Sequence, residues 1–293
     1  MAGYKTTDVV EVLARKDETG QAVRGRMGLR SAIARMANKI EMTSRVAGFL
    51  DIARPEAHFS NYAATRTGAL VNASSIQMEA KPLTVTLVFD KYMERDVADF
   101  SRQFTQKLGD AFAEALDREV LRNTDGAFSK GVIAAAVAAT NSVTEDSALY
   151  TDLNATMGKV EVAGHEVSGI IYRSADRQSV RAALSTTGQP IFSISARDGE
   201  PDSLMGVSAV VAAGRSLPNS VSASEVRFIA GDWNQCYYGI YEDLKLESHT
   251  SGIVTIGGVD YNLIQQGLIA VVAEMRVAAA IQDGSAFAVL VEE

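Results

Sequence analysis

Cysteine and histidine are scarce in this sequence. Its 293 residues include one cysteine, Cys236, and three histidines, His58, His165 and His249. A single cysteine excludes an intrachain disulfide and a metal site made of several thiolates. No two histidines stand at the i, i+4 spacing that places two imidazoles on one helix face. These residues therefore predict no metal site, and they favour a chain that functions in a reducing compartment.

The motifs of common enzyme classes are also missing. The sequence contains neither the Gly-x-x-x-x-Gly-Lys pattern that cradles phosphate nor the Gly-x-Ser-x-Gly pattern that exposes a nucleophilic serine. Gly257 and Gly258 are adjacent, but no helix is expected to open after them, so they predict no nucleotide site. Cys236 is expected to be a buried filler in a strand, and His165-Glu166 an exposed loop pair. We therefore predict no catalytic residue and no cofactor.

Long apolar runs and an excess of positive charge are absent as well. No apolar run approaches the roughly 18 residues that a membrane-spanning helix needs, and residues 1–5 lack the apolar core of a secretion signal. The net charge of −8 and the isoelectric point of about 5.1 predict repulsion from phosphate backbones and anionic lipids. We therefore expect no membrane partner and only weak, non-specific contact with nucleic acid.

One segment departs from this acidic balance. Between residues 24 and 45 the only acid is Glu41, whereas six residues are basic. The basic residues are Arg24, Arg26, Arg30, Arg35, Lys39 and Arg45. Two interpretations remain open: a solvated helix face or an arm lying on an acidic neighbour, and contact with nucleic acid. The pattern favours the first interpretation.

With 47% apolar and 22% charged residues, the composition is that of an ordinary globular protein of one or two domains. An apolar spacing of three and four predicts a partly helical N-terminal segment, carried by Leu29, Ile33, Met36, Ala37 and Ile40. Residues 53–82 are polar and aperiodic, which is typical of a long loop that is functional or ordered by a partner. Alternating residues then predict a strand over Leu83–Phe89.

The strongest helix signal follows that strand. Apolar residues step by four and predict a long amphipathic helix over residues 97–122, which ends at an Asn123–Gly126 turn with positive φ. The apolar stripe consists of Phe100, Phe104, Leu108, Phe112, Leu116 and Val120, widened by Val97, Ala111 and Ala115. The other faces are expected to carry Arg102, Lys107, Asp110, Glu114, Asp117 and Arg118.

The middle of the chain mixes helices, strands and turns. A helix is predicted around residues 149–160, a buried strand over Val167–Tyr172, and a helix capped by Ser174 that runs through Leu184. Turns are predicted at Asp198–Gly199, Leu217–Asn219 and Gly231–Asp232.

Near the C-terminus, apolar residues alternate strictly over Ile269–Ile281, a span of thirteen residues. This period predicts a strand with Glu274 and Arg276 on the face opposite Met275 and Val277. Strands usually run about 5 to 6 residues. We therefore expect this one either to cross more than one sheet neighbourhood or to bend across a domain, and to tie two domains together.

Several short segments, taken in order, carry a family resemblance. They are Leu116–Leu121 followed by Asp125–Gly126 and Gly131–Ile133, Asp202–Val207 with Leu217–Pro218 beyond it, Phe228–Trp233, Ala273–Val277 and Asp283–Leu290. Over residues 25–291, their order and spacing resemble the major capsid proteins of tailed bacteriophages, the Hong Kong 97-like family. The resemblance implies an α+β fold and a subunit that self-assembles into an icosahedral head around double-stranded DNA. The subunit would be a virion component that assembles in the cytoplasm of the bacterial host.

The resemblance also implies an architecture. It places an N-terminal arm at residues 1–52, an E-loop at 53–85, a peripheral domain with a long spine helix at 86–145 and 242–282, and an axial domain at 146–241 and 283–293. Contacts between subunits are expected at Arg30, Arg35, Arg66, Lys81, Glu94 and Arg95. The arm and the E-loop are expected to be free in the monomer and to be ordered by neighbours.

The implied partners are other copies of the chain, as hexamers and pentamers, a portal protein and, as an option, a decoration protein. No scaffolding segment of roughly a hundred residues precedes the arm, so a separate scaffolding protein is expected. Lys81 lies at the base of the expected loop, so the lysine–asparagine cross-linking of the family prototype is not carried over. Two alternatives stay open: an encapsulin, which has the same fold and encloses cargo enzymes, and, more remotely, a soluble α+β enzyme.

Overall fold

In the computed structural model of the chain, the described residues are 16–52, 59, 73–92, 100–146, 148–183, 202–218 and 225–292. Their helices are α1 Lys16–Arg30, α2 Ala32–Met36, α3 Phe100–Arg122, α4 Val132–Ala138, α5 Leu149–Val162, α6 Arg177–Ala182 and α7 Leu263–Gln266. Their strands are β1 Asn38–Glu41, β2 Val46–Ile52, β3 Ala73–Glu79, β4 Lys81–Asp90, β5 Ser142–Thr144, β6 Gly169–Tyr172, β7 Asp202–Leu204, β8 Val207–Val211, β9 Val226–Gly231, β10 Cys236–His249, β11 Ile253–Ile256, β12 Val259–Asn262, β13 Leu268–Ile281 and β14 Phe287–Val291. Short 3-10 turns are formed by Ser174–Asp176, Trp233–Gln235 and Gly284–Ala286. The described part is therefore a mixed α+β fold, as predicted.

The apolar stripe of the long helix α3 faces the main core. Its buried members, each at most 2% exposed, are Leu108, Phe112, Leu116 and Val120. The helix ends at Asn123, whose φ of 52° lies in the left-handed region, so the predicted end is confirmed. Two side chains differ from the prediction: Ala111 is exposed, and Asp117 is fully buried. Residue 97, the predicted start, lies outside the described residues.

The N-terminal segment is helical only in part. The apolar spacing predicts one helix face from Leu29 to Ile40, but the structure interrupts the helix at Ser31 and ends α2 at Met36. Ser31 is the N-cap of α2, since its hydroxyl accepts a hydrogen bond from the Ala34 amide at 3.0 Å. Leu29 is 74% exposed and Ile40 lies in β1. The extent of the predicted helix is therefore wrong, because a capping serine starts a new helix within it.

The described part of the arm is built into the core of its own chain. Val23, Met27 and Ile33 are at most 2% exposed and belong to the same apolar cluster as the stripe of α3. This stretch therefore has apolar contacts within its own chain, and its expected mobility in the free monomer stays a prediction. Residues 1–15 and the loop residues 53–58 and 60–72 lie outside the described residues.

A four-stranded sheet, ordered β1-β10-β13-β4, contains the long strand predicted near the C-terminus. β13 runs antiparallel to β10 on one side and to β4 on the other. Met275 and Val277 are 2% exposed, whereas the side chains of Glu274 and Arg276 are 43% and 38% exposed, so the predicted faces are confirmed. The strand stays in this one sheet, so the expectation that it crosses two sheets is wrong. Its partner β10 is equally long and accommodates the twist with two register shifts.

A six-stranded sheet has the order β5-β14-β9-β6-β8-β7. Its inner strands β6 and β9 are buried throughout, and Tyr172 stacks on Phe228 with ring centroids 5.6 Å apart. The turn Gly284–Ala286 leads from the end of β13 into β14. Trp233 and Phe287 meet with ring centroids 5.2 Å apart, in a core that contains residues of both sheets. The turn Gly284–Ala286 after β13 and the turn Trp233–Gln235 between β9 and β10 therefore both connect the two sheets.

Strand pairing bears on three of the expected domain boundaries. β2 and β3 form one antiparallel hairpin, although the boundary at residue 52 assigns β2 to the arm. β5 pairs with β14 in the six-stranded sheet, although the boundary at residue 145 places it in the peripheral domain. β10 is a single strand, so the boundary at residue 241 cuts through it. Strand pairing thus favours boundaries a few residues earlier at each of these points, and the domain boundaries themselves stay predictions.

The other local predictions are mostly confirmed. β4, α5 and β6 lie where a strand, a helix and a buried strand are predicted. The helix predicted from Ser174 begins as a 3-10 turn and continues as α6, but Arg173 occupies the cap position. Asp198–Gly199, Leu184 and Asn219 lie outside the described residues. No helix in the described ranges is long and apolar enough to span a membrane.

Candidate subunit interfaces

The arm helix α1 packs directly on α3. Gly109 permits this close approach, because a Cβ at this position would stand 2.7 Å from Cγ of Arg26 and 3.2 Å from the carbonyl oxygen of Val23. Nε of Arg26 donates to Oδ1 of Asp110 at 2.9 Å. Burial alone would raise the pKa of Asp110. Arg26 lowers it through a hydrogen bond and through its charge, and the charge of Arg30 lowers it further, so the pKa is lowered overall. Backbone contact and a partly buried ion pair therefore hold α1 on α3.

Four of the six basic residues between positions 24 and 45 are paired with acids of the same chain: Arg24, Arg26, Arg30 and Arg45. Arg24 lies 2.8 Å from Asp243, and Arg30, an expected interface residue, lies 3.4 Å from Asp110. Arg35, also expected at an interface, is exposed at the end of α2. The sequence favours a solvated helix face or an acidic neighbour for the basic residues between positions 24 and 45. In the structure, the acids that pair with them belong to the same chain.

Lys81 lies at the base of the β2–β3 hairpin, in a cluster of three charges. Its Nζ is 2.7 Å from Oε2 of Glu79, and a guanidinium nitrogen of Arg45 is 2.5 Å from Oε1 of the same residue. Hydrogen bonds from Lys81 and Arg45 lower the pKa of Glu79 to about 2. Lys81 therefore contacts its own chain, where it fixes the start of β4 against the end of β3.

The β2–β3 hairpin has one packed face and one open face. Phe49 lies against Tyr237 of β10 with ring centroids 4.7 Å apart, and Met78 is fully buried. On the other face, Val46 is 47% exposed and Leu50 is 66% exposed. Alternation along a strand explains the difference, since successive side chains point to opposite faces. The outer face of the hairpin is thus mixed: it presents Val46 and Leu50 to solvent beside the β3 residues Ser75, Gln77 and Glu79.

The remaining expected interface residues lie outside the described residues: Arg66, Glu94 and Arg95. They stay predictions, as does the expected loop tip. The structure places Arg30 and Lys81 in separate ion clusters, one centred on Asp110 and the other on Glu79.

A second hairpin presents an apolar face outside the cores. β11 and β12 pair around a Gly257–Gly258 turn in which both glycines have positive φ. The strand register places four apolar side chains on one face: Val254, Ile256, Val259 and Tyr261. Ile256 is 42% exposed and Val259 is 54% exposed. The opposite face holds a hydrogen bond of 2.6 Å from Thr255 to Asp260. Adjacent glycines between β-branched residues signal a hairpin, and sequence reasoning missed this because it weighed them only as a nucleotide site.

Asp117 of α3 is a fully buried carboxylate where the arm, α3 and the loop after β8 meet. It accepts hydrogen bonds from the Ser31 hydroxyl at 2.5 Å and from the amides of Ala32 at 2.8 Å and Ile33 at 3.1 Å. A fourth hydrogen bond comes from the Ala213 amide at 3.0 Å. Burial raises the pKa of Asp117, although the hydrogen bonds act in the opposite direction. Sequence reasoning missed this site because an aspartate on an amphipathic helix is expected on the polar face.

A cluster of buried charges closes one end of the six-stranded sheet. Arg173 and Arg227 both bind Asp176, and all three side chains are at most 8% exposed. Arg173 also lies 2.7 Å from Glu292, and Arg227 contacts Glu145. Burial acts to lower the pKa of both arginines, but their acidic partners raise it overall. The cluster ties β9 to the residues that follow β5, β6 and β14, which indicates a structural role.

The described residues with reactive side chains are not arranged for catalysis. Cys236 is fully buried, and burial raises the pKa of its thiol to about 12. His165 is partly buried, unlike the exposed loop residue expected, and lies 3.2 Å from Oδ2 of Asp283 and 3.4 Å from Oγ of Ser285. Both contacts use the same ring nitrogen, Nε2, whereas a catalytic triad places acid and nucleophile on opposite nitrogens. Across the described ranges, no group of three or more His, Cys, Asp and Glu side chains is placed to hold a metal ion.

Exposed apolar side chains on two hairpins are typical of a protein that associates with other molecules. A family model described as the phage capsid family matches residues 16–291. The chain belongs to the phage capsid family.

Solved structures with the same fold come from several phages. The chain is 21% identical to a protein of Microbacterium phage Oxtober96, with 90% of this chain and 91% of that chain covered and a TM-score of 0.70. It is 17% identical to a protein of Mycobacterium phage Adephagia, with 90% of each chain covered and a TM-score of 0.69. The capsid of an empty GTA particle matches at 16% identity, 90% coverage of each chain and a TM-score of 0.63. No curated protein matches the chain.

The family membership confirms the function expected from the sequence. The chain is a major capsid protein of a tailed-phage head, a structural component of the virion and not an enzyme. The match to the phage capsid family model also favours a phage head over the encapsulin alternative.

Proposed function

We propose that this chain assembles as hexamers and pentamers into an icosahedral shell around double-stranded DNA. The observation that carries this proposal is the exposed apolar face of the β11–β12 hairpin, where Ile256 and Val259 face solvent. A two-stranded hairpin is marginally stable by itself, and burial of its apolar face against another molecule stabilises it. Residues 253–264 carry a single charge, Asp260, so acidic copies can approach each other here with little repulsion.

Two substitutions on opposite faces of this hairpin test the proposal. Val259→Asp places a charge on the apolar face, and Ile253→Asp places the same charge on the other face at a similarly exposed position, with exposures of 54% and 65%. We expect Val259→Asp to leave folded, unassembled subunits and Ile253→Asp to form shells, as counted by negative-stain electron microscopy and sedimentation velocity. Circular dichroism checks the folding of both variants. Normal shells from Val259→Asp would contradict the assigned contact face.

We propose that the two domains expected from the family resemblance correspond to the two sheets. The four-stranded sheet and α3 correspond to a peripheral domain with its spine helix, and the six-stranded sheet corresponds to an axial domain. We assign all of β10 to the peripheral domain and β5 to the axial domain, because strand pairing supports this division. The β2–β3 hairpin would form the base of the E-loop, and α1, α2 and β1 would form the arm.

Contacts between copies are proposed at the remaining expected residues. Arg35 is exposed and open to a neighbour. The others, proposed from the family resemblance, are Arg66, Glu94 and Arg95. Arg30 and Lys81 already bind acids of their own chain, so we expect them to shape the arm and the hairpin base first.

We also propose the other proteins that a phage head protein contacts as partners of this chain. They are a separate scaffolding protein, a portal protein and, as an option, a decoration protein. We propose only weak contact with DNA, because the net charge is −8 and the arm arginines 24, 26, 30 and 45 are paired with acids. The contents of purified particles test this proposal against the encapsulin alternative: DNA or scaffolding protein supports a phage head, and a cargo enzyme contradicts it.

A further inference from the structure

The Asp117 carboxylate joins three segments that are far apart in the sequence. Its Oδ1 accepts from the Ser31 hydroxyl and the Ile33 amide, and its Oδ2 accepts from the amides of Ala32 and Ala213. Each oxygen therefore has two donors, and three of the four donors belong to the arm. The fourth donor belongs to the loop that follows β8. Displacing the arm or this loop would leave buried polar groups without partners, which is unfavourable.

Helix capping alone does not account for this arrangement. Ser31 already caps α2, because its Oγ accepts from the Ala34 amide. Asp117 reaches the start of α2 from another helix, 86 residues along the sequence from Ser31. Its hydrogen bond with Ala213 lies outside α2 altogether. The carboxylate therefore connects the arm to a segment that α2 does not need for its own cap.

We propose that Asp117 couples the arm to the six-stranded sheet, so that docking of residues 31–33 and ordering of the loop at 212–217 depend on each other. When the arm is displaced, three of the four donors leave, and at first the buried carboxylate keeps the Ala213 amide alone. A buried carboxylate with one donor is unstable, so it moves towards water and the Ala213 amide loses its acceptor. Linkage is reciprocal, so loosening the loop weakens arm docking by the same factor.

Ser31→Ala tests this coupling, because it removes an arm donor and changes neither α3 nor the loop. Hydrogen exchange of the unassembled full chain, followed by mass spectrometry, reports separately on residues 31–34 and 212–217. We expect exchange to become about tenfold faster at residues 212–217, in line with the loss of one hydrogen bond to a charged group, and faster still at residues 31–34, where the cap on the Ala34 amide is lost as well. Ser44→Ala is the matched control: the Ser44 hydroxyl donates to the Val46 carbonyl at 2.6 Å in an exposed part of the same arm. It should change neither segment.

The segments in which exchange becomes faster decide between coupling and simple helix capping. Acceleration confined to residues 31–34 would show that Ser31 is only a helix cap, and it would overturn the coupling. Asp117→Asn should accelerate both segments more strongly, since it removes the charge that all four donors share. If Asp117→Asn does not fold, Ser31→Ala decides the test alone. The measurement uses unassembled chains, so its failure leaves the proposed contact face untouched.

Discussion

Two glycines within helices provide a matched pair of substitutions with opposite expected effects. Replacing glycine with alanine in a helix interior stabilises a protein by about 0.5 to 1 kcal/mol, because alanine loses less backbone entropy on folding. At Gly158 of α5, nothing lies within 4 Å of the new Cβ, so we expect the full gain. At Gly109 of α3, the new Cβ would stand 2.7 Å from Cγ of Arg26 and 3.2 Å from the Val23 carbonyl oxygen.

Relief of the contact at Gly109 requires α1 to move, because a third contact, at 2.8 Å, is with Cβ of Arg26, and the Val23 oxygen belongs to the backbone. Overpacking of this kind costs about 1 to 3 kcal/mol. The shift also loosens the ion pair of Arg26 with Asp110, which is 2.9 Å long and partly buried. After subtraction of the gain in helix propensity, we expect Gly109→Ala to destabilise the chain by up to about 2.5 kcal/mol.

Urea denaturation of the unassembled chain measures both effects. The chain has one tryptophan, Trp233, which is 1% exposed, so its fluorescence follows unfolding of the core. Circular dichroism at the same urea concentrations checks that the transition is two-state. Equal stabilisation by Gly109→Ala and Gly158→Ala would refute the reasoning, because it would mean that α1 does not lie against Gly109.

Two further predictions concern charged groups. Asp176→Ala removes the acid that the buried Arg173 and Arg227 share, and we expect a loss of about 1 to 3 kcal/mol in urea denaturation, because each arginine keeps its second acid, Glu292 or Glu145. Lys245→Ala, in an exposed pair, should cost much less. A loss as small as that of Lys245→Ala would contradict the burial of the cluster. The pKa of Glu79 is lowered from 4.5 to about 2, so its ion cluster stabilises the chain above about pH 4.5 and loses this contribution as pH falls through 2. The Tm of Glu79→Gln should therefore lie slightly below that of the parent chain at neutral pH and converge with it in acid, and a constant difference would contradict the assignment.

Periodic patterns made much of the fold predictable. The apolar step of four in α3 and the strict alternation in β13 are local properties of the sequence, and both elements have the predicted faces. The end of α3 was also predictable, because Asn123 tolerates the left-handed conformation that terminates it. Ser31 carried a usable signal as well, since a serine before an apolar run marks a helix start. Giving this signal more weight would have divided the arm helix correctly.

Contacts between distant residues were not predictable from these patterns. Asp117 looks like an exposed residue because only its position on α3 is visible in the sequence, whereas its donors lie 84 to 96 residues away. The partners of Asp176 are equally invisible, since Arg227 lies 51 residues further on. A buried charge is stable only when its partners converge in space, and one sequence contains no record of that convergence. For the same reason, the long apolar pattern of β13 predicted a strand but did not show which sheet contains it.

Charge pairing within the chain changes what can drive assembly. In the sequence, the basic arm is a candidate surface for phosphate, but in the structure Arg24, Arg26, Arg30 and Arg45 each bind an acid of the same chain. Binding to DNA would have to break these pairs while the net charge of −8 opposes the approach. Exposed ion pairs between copies would add little, typically below about 1 kcal/mol each. Burial of apolar surface is therefore the larger source of association energy, and the uncovered faces of the two hairpins are where the described chain offers it.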